Sequence, residues 1–216
     1  DGVAKEGTVV QCNMGIAATD DVDMATKMGI VCGKEATAVG CNWAFAPVVD
    51  IDMNFRNPIT NTRTFGNNPE RVRDMGAAYV KASQANGIAA CFKHFPGDGV
   101  DDRDQHLVTS INSLSCEEWM NTYGMVYKAC IEAGALTCMV GHIMQPEWTR
   151  RLHPGIADED IMPASLSPEL MGGLLRGELG FQGLIVTDAS TMAGFTIPMT
   201  RDKAVPYSIA CGADMF

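Results

Sequence analysis

Ile88-Ala89-Ala90-Cys91-Phe92-Lys93-His94 is a short apolar run that ends in two polar side chains, and the chain repeats the arrangement. Ala44 to Val49 leads into Asp50 and Asp52, Leu136 to Val140 into Gly141 and His142, and Leu184 to Thr187 into Asp188. A brief apolar run without polar alternation suits a parallel strand covered on both faces. A fifth run, Ala213 to Phe216, ends the sequence.

Helical segments separate these runs. Asp21 to Val39 carries Met24, Met28, Cys32, Ala36 and Val39 on one stripe and stops at Gly40, a residue suited to a left-handed C-terminal cap. Asn68 followed by Pro69 gives the favoured order of cap and first helical residue, and that helix ends before Gly87. Ser115 with Glu118 forms a capping box ahead of Trp119, Tyr123, Val126 and Cys130, with Gly134 closing the helix. Ser167 and Pro168 open a further helix that ends near Gly180. Alternating strands and helices predict an α/β fold with a parallel sheet.

An open doubly wound sheet and a closed barrel both satisfy that alternation. Every full strand ends in charged or imidazole groups, which a barrel gathers on one rim and an open sheet spreads along an edge. No GxGxxG turn opens a helix after a strand, so the dinucleotide-binding alternative lacks its main support. The expected fold is a (β/α)8 TIM-type barrel in a single domain over residues 1–216. Such a barrel needs about 250 residues and eight strands. The chain is therefore expected to be a fragment, lacking the first strands and the last strand region.

Composition narrows the function. With 216 residues and 46% hydrophobic residues, the chain can bury one sizeable core. Sixteen basic residues against 26 acidic give a net charge of -10, which disfavours nucleic acid and anionic membranes as partners. No apolar run approaches the roughly 20 residues that cross a bilayer. Eight cysteines with no CxxC pair suit free thiols in a reducing, cytoplasmic compartment.

The densest chemistry lies in Lys93-His94-Phe95-Pro96-Gly97-Asp98-Gly99, followed by Val100 to Arg103 and then Asp104-Gln105-His106. This stretch resembles the N-acetylglucosaminidase branch of glycoside hydrolase family 3, in which such a segment leads into a mobile loop bearing Asp-x-His. Phe45-Ala46-Pro47-Val48-Val49-Asp50, Thr62-Arg63-Thr64-Phe65-Gly66, Pro163-Ala164-Ser165-Leu166-Ser167, Leu175 to Phe181, Gly183 to Asp188 and Gly212-Ala213-Asp214-Met215 agree in order and spacing. The resemblance covers the chain from about Met14 onward. It departs at Asp98, where many members have a second histidine, and an upstream acidic sugar-binding residue is expected ahead of Asp1.

The resemblance implies a retaining glycosidase that removes terminal β-linked N-acetylhexosamine, with peptidoglycan-derived aminosugars as the usual targets. Glycoside cleavage needs a group to stabilise the anomeric carbon and another to protonate the leaving oxygen. Asp188, at a strand end, suits the nucleophile, its bland alternative being a cap for the next segment. Spacing alone leaves Asp104 and His106 as solvated loop residues. The resemblance makes His106 the proton donor and Asp104 the acceptor of its ring N–H. Gly97 and Gly99 are expected to let the loop swing.

The resemblance also implies that Lys93 and His94 hydrogen-bond sugar hydroxyls, with Lys93 paired to Asp50 or Asp52 as the alternative. Arg63 is a further substrate-binding candidate, against a surface salt bridge. His142 lines the pocket or is a satisfied core histidine. No cofactor or metal is expected. A metal-dependent hydrolase using His94, Asp98, Asp101, Asp102, Asp104 and His106 is a rival, although a glycine-rich loop makes a poor cage. A non-catalytic sugar-binding remnant and a β-glucosidase of the same family are the others, and phosphate is a conceivable acceptor. The expected partner is a small carbohydrate.

Overall fold

The computed structural model of the chain describes residues 6–216. In chain order the elements are α1 (Asn13–Ala17), α2 (Val22–Ala38), β1 (Trp43–Ala44), α3 (Pro69–Ala85), β2 (Ala89–Phe95) and β3 (Ser110–Ile111). There follow α4 (Cys116–Trp119), α5 (Met125–Glu132), β4 (Thr137–Val140), β5 (Ile143–Met144), α6 (Pro146–Leu152), β6 (Leu184–Thr187), α7 (Ala193–Thr196) and α8 (Arg201–Cys211). A π-helical turn, Met120–Gly124, joins α4 to α5, and a longer π-helical segment, Glu169–Glu178, occupies the expected helix after Ser167.

The main sheet has the order β1-β2-β4-β6, and all three pairings are parallel. Each strand lies beside the one before it, without the reversal that marks a doubly wound sheet. β3 and β5 make a separate two-stranded parallel ladder.

Period-two alternation divides the sheet residues between two layers. Cys91, Met139 and Val186 form one cluster with Trp43 and Leu184. Phe92, Cys138 and Ile185 belong to the main core with Trp119, Tyr127, Leu174 and Phe181. The α2 and α3 helices pack closely because Gly29 and Gly33 place bare backbone against Tyr79, Ala82, Ser83 and Asn86.

Helix ends follow the local signals. The Asp21 side chain accepts from the Asp23 amide, the Asn68 side chain accepts from that of Arg71, and the Ser115–Glu118 box is formed in both directions. The first strand is shorter than expected. Only Trp43–Ala44 forms a ladder with β2, with a single bridge further along between Val48 and Lys93. Pro47 has no N–H to give a ladder, although its carbonyl accepts from Lys93. At the far end, Ala213 to Phe216 contributes one bridge, between Met215 and Val186.

Candidate active site

Three strand ends bring a row of ionisable groups together. Asp50, just beyond the Val48 bridge, is buried and accepts from the backbone N–H of His94 at 3.0 Å and of Asp98 at 2.9 Å. Its other oxygen meets His94 Nδ1 at 2.6 Å. With Nδ1 occupied, the ring turns Nε2 toward Asp188, whose nearer oxygen lies 3.8 Å away. Burial alone would raise the Asp50 carboxyl, but the charge and hydrogen bonds of His94 and the Asp98 amide outweigh it and hold it below the usual range.

Asp188 directly follows β6, and its backbone N–H donates to the Val140 carbonyl at 2.9 Å, which continues the ladder to the last residue. Its side chain is 17% exposed and accepts from the Ala189 amide at 2.8 Å. Desolvation pushes this carboxyl up. His94, the Ala189 amide, His142 and Lys93 together push it further down, so it sits below its ordinary value and is ionised at neutral pH.

Lys93 is half-buried, with its ammonium 5.9 Å from the centre of the Phe45 ring. Its pKa is lowered, first by burial and also by Arg63, while Asp188 opposes the shift. The pairing of Lys93 with Asp50 does not form: Asp50 is taken by His94, and Lys93 is left to face Asp188 electrostatically. Arg63 is exposed beside this cluster and donates weakly to the Ile59 carbonyl at 3.4 Å. His142 is fully buried, with Nδ1 2.8 Å from Ser165 Oγ and Nε2 3.1 Å from the Ala189 carbonyl. Burial lowers its pKa, and both ring nitrogens are engaged, so it is a satisfied neutral core ring rather than a pocket-lining one.

The loop after β2 carries Asp104 and His106. His106 Nδ1 lies 2.6 Å from Asp104 Oδ1, the same oxygen that accepts from the His106 amide at 2.8 Å. The ring is half-exposed with Nε2 unengaged by any described residue. The loop is fastened to the segment that follows Asp188: the Gly194 amide donates to the Gln105 carbonyl at 3.1 Å, and that of Ala193 to the His106 carbonyl at 3.0 Å.

Gly97 and Gly99 also permit close approach. Both have positive φ, and a Cβ on Gly97 would strike the Tyr123 ring, one on Gly99 the Ile51 carbonyl. Tyr123 donates its hydroxyl to the Asp98 carbonyl at 2.6 Å, and Trp119 Nε1 donates to Pro96 O at 2.7 Å, so the near side of the loop is gripped by the α4–α5 region.

Sequence reasoning missed the buried, cross-linking roles of Asp98 and Gln105, and the hydrogen-bond roles of Asn57 and Ser165. Periodic polar ends pointed to the strand rim but not to these cross-links. Among the described residues no group of three or more His, Cys, Asp or Glu side chains is arranged to hold a metal ion.

Comparison with known proteins bears on what this row can do. A family model described as the glycosyl hydrolase family 3 N terminal domain matches residues 1–216. A curated protein of Cellulomonas fimi, named beta-N-acetylglucosaminidase/beta-glucosidase, is 57% identical over 212 residues, which is 98% of this chain and 38% of that protein. A solved beta-glucoside phosphorylase superposes with a TM-score of 0.96 at 55% identity, over 98% of this chain and 38% of the other. A solved glycoside hydrolase family 3 beta-N-acetylglucosaminidase from Paenibacillus sp. str. FPU-7 gives 0.90 at 31% identity, over 98% and 39%. The chain thus spans less than two fifths of the length of these relatives. Its sheet is part of a TIM-barrel-like α/β fold, and the described strands do not close the barrel.

Proposed function

The chain belongs to glycosyl hydrolase family 3, and from that premise we propose that it is the catalytic barrel region of a retaining glycosidase that removes terminal β-linked N-acetylhexosamine. Asp188 is the nucleophile, His106 the proton donor and Asp104 its orienting partner. In the first step the Asp188 carboxylate forms a bond to the anomeric carbon. The glycosidic C–O bond breaks as Nε2–H of His106 protonates the departing oxygen. In the second step the neutral ring takes a proton from water, the water oxygen bonds to the anomeric carbon, and the Asp188 carboxylate is released.

One observation carries this reading. The Asp188 carboxylate is ionised and fixed at a strand end, facing Lys93 and His94, and the Asp104–His106 pair rides on a loop bonded to residues 193 and 194 just beyond it. Asp104 occupies Nδ1, which leaves Nε2 to work on substrate. His94 and Lys93 are near enough to the carboxylate to take sugar hydroxyls beside it, with Arg63 completing the lining and His142 packed behind it. The loop swings open to exchange sugars and closes for the chemistry.

Treating the full-length protein with a slow 2-fluoro glycoside and mapping the labelled peptide tests the first step. The label is expected on Asp188 and absent from Asp188→Asn, and a label elsewhere overturns the assignment. His106→Ala is expected to slow substrates with poor leaving groups by about a hundredfold or more, while activated aryl glycosides suffer far less. Equal losses on both classes remove the donor role.

A second reading, a β-glucosidase or β-glucoside phosphorylase, is favoured by the names of the 57% and 55% identical relatives. Comparing kcat/KM for aryl N-acetyl-β-glucosaminide and aryl β-glucoside, with and without phosphate, separates the two. A neutral imidazole in place of a second carboxylate reduces repulsion of a phosphate acceptor. All eight cysteines are free, which supports a reducing compartment such as the cytoplasm.

A further inference from the structure

Gln105 precedes His106 and is fully buried beneath the loop that presents it. Its amide is used at both ends. Oε1 accepts the backbone N–H of His142 at 2.8 Å, and Nε2 donates to Asp98 Oδ2 at 3.3 Å. The orientation is forced, because a backbone N–H can only donate and a carboxylate can only accept.

Asp98 is constrained in turn. Its Oδ1 accepts from Asn57 Nδ2 and from the Gly99 amide, both at 2.8 Å. Oδ2 is therefore the atom left to receive Gln105. Asp98 is itself buried, and the charges bearing on it are those of Asp50 and His94.

We propose that Gln105 is a positioning residue, a polarity-keyed latch that seats the Asp104–His106 loop on the His142 strand end, with Asp98 as its keeper. The inference rests on the reading of His106 as proton donor and adds what holds that donor in place. The Gln105 carbonyl, held by the buried side chain, receives Gly194, and the His106 carbonyl receives Ala193. Residues 193 and 194 belong to the segment that follows Asp188, so the latch fixes the donor relative to the nucleophile.

The keying makes a reciprocal test available. In Asp98→Asn, Asn57 and Gly99 still require an oxygen at the Oδ1 position, so an NH2 replaces Oδ2 and meets the Gln105 NH2 head-on. In Gln105→Glu, one carboxylate faces another. In the double variant, the NH2 introduced by Asp98→Asn donates to one oxygen of the carboxylate introduced by Gln105→Glu, whose other oxygen keeps the His142 amide. Donor and acceptor have exchanged places, and the net charge equals that of the native protein.

Both singles and the double are made in the full-length protein. Hydrogen exchange at the Ala193 and Gly194 amides is measured together with kcat/KM on aryl N-acetyl-β-glucosaminides and β-glucosides of graded leaving group. Each single is expected to speed exchange at those amides about tenfold or more, and to cut turnover of poor leaving groups about tenfold. Exchange in β4 should be unchanged. The double is expected to return both readouts to within about threefold of the native values.

Unchanged exchange in the singles, or a double no better than the worse single, overturns the latch. If a single fails to fold, a folded double with native exchange supports the proposal and an unfolded double overturns it. A His106→Ala variant without leaving-group bias removes the donor reading by itself, and the exchange data still decide the latch.

Discussion

Asp98 shows how burial is used at a single position. Its carboxyl is raised to about 6, first by desolvation and then by Asp50, against the pull of His94 and two hydrogen bonds. A folded value above the unfolded one means that the ionised form is the penalised form. The stabilisation linked to Asp98 is full below the unfolded value and is lost as pH rises through about 6. Taking the native protein from pH 7 to 5 should therefore recover stability at this site, on the order of a kcal/mol. Asp50 and Asp188 are held low and lose their stabilisation only at more acid pH. His142, kept neutral by burial, works in the opposite direction over the same range. The difference between native and Asp98→Asn melting temperatures across pH 7 to 5 isolates the Asp98 contribution, and parallel curves would contradict it. None of this was legible in the sequence. Asp98 could be seen as a departure from the family pattern, but its partners Asn57 and Gln105 are 41 and 7 residues away, and only the fold makes them neighbours.

Elements whose ends are set locally were readable, and they give local predictions. Ser115 Oγ accepts from the Glu118 amide at 3.2 Å, and a Glu118 oxygen accepts from the Ser115 amide at 3.1 Å. Ser115→Ala should cost about 1 kcal/mol in denaturant unfolding without changing the substrate profile. A loss of activity at native stability would give the box a role it does not have here. Gly194 offers a sharper case in α7. A Cβ there would stand 2.6 Å from the Gln105 carbonyl and 2.9 Å from His142 Cβ, so Gly194→Ala must part the two loops. It is expected to slow poor-leaving-group substrates about tenfold while the sheet retains its stability, read as a leaving-group series beside a melting curve. The same locality explains the misread first strand, since an apolar run containing Pro47 cannot donate a full ladder. The Glu169–Glu178 segment is readable as a helix from its Ser167 start, and the structure winds it as a π-helix.

At the scale of the molecule, the expected barrel rested on apolar runs ending in polar groups, and the sequential parallel order β1-β2-β4-β6 has that form. Thiol chemistry reports on the same core. Cys130 is pushed up to about 12 and Cys91 to about 11 by burial, Cys138 is raised well beyond the normal range, and Cys12 lies exposed. A thiol reagent should label Cys12 at least about a hundredfold faster than Cys91, Cys130 and Cys138, and reach all eight in denaturant. Rapid native labelling of Cys138 would mean that the sheet and helix layers are not packed as described.

The two amide bonds from Ala193 and Gly194 to the carbonyls of His106 and Gln105 carry a last consequence. While they persist, the loop that carries His106 and the segment that follows Asp188 move as one body. On the roles proposed for His106 and Asp188, the seam that aligns donor with nucleophile is also the one that any swing of the loop must open.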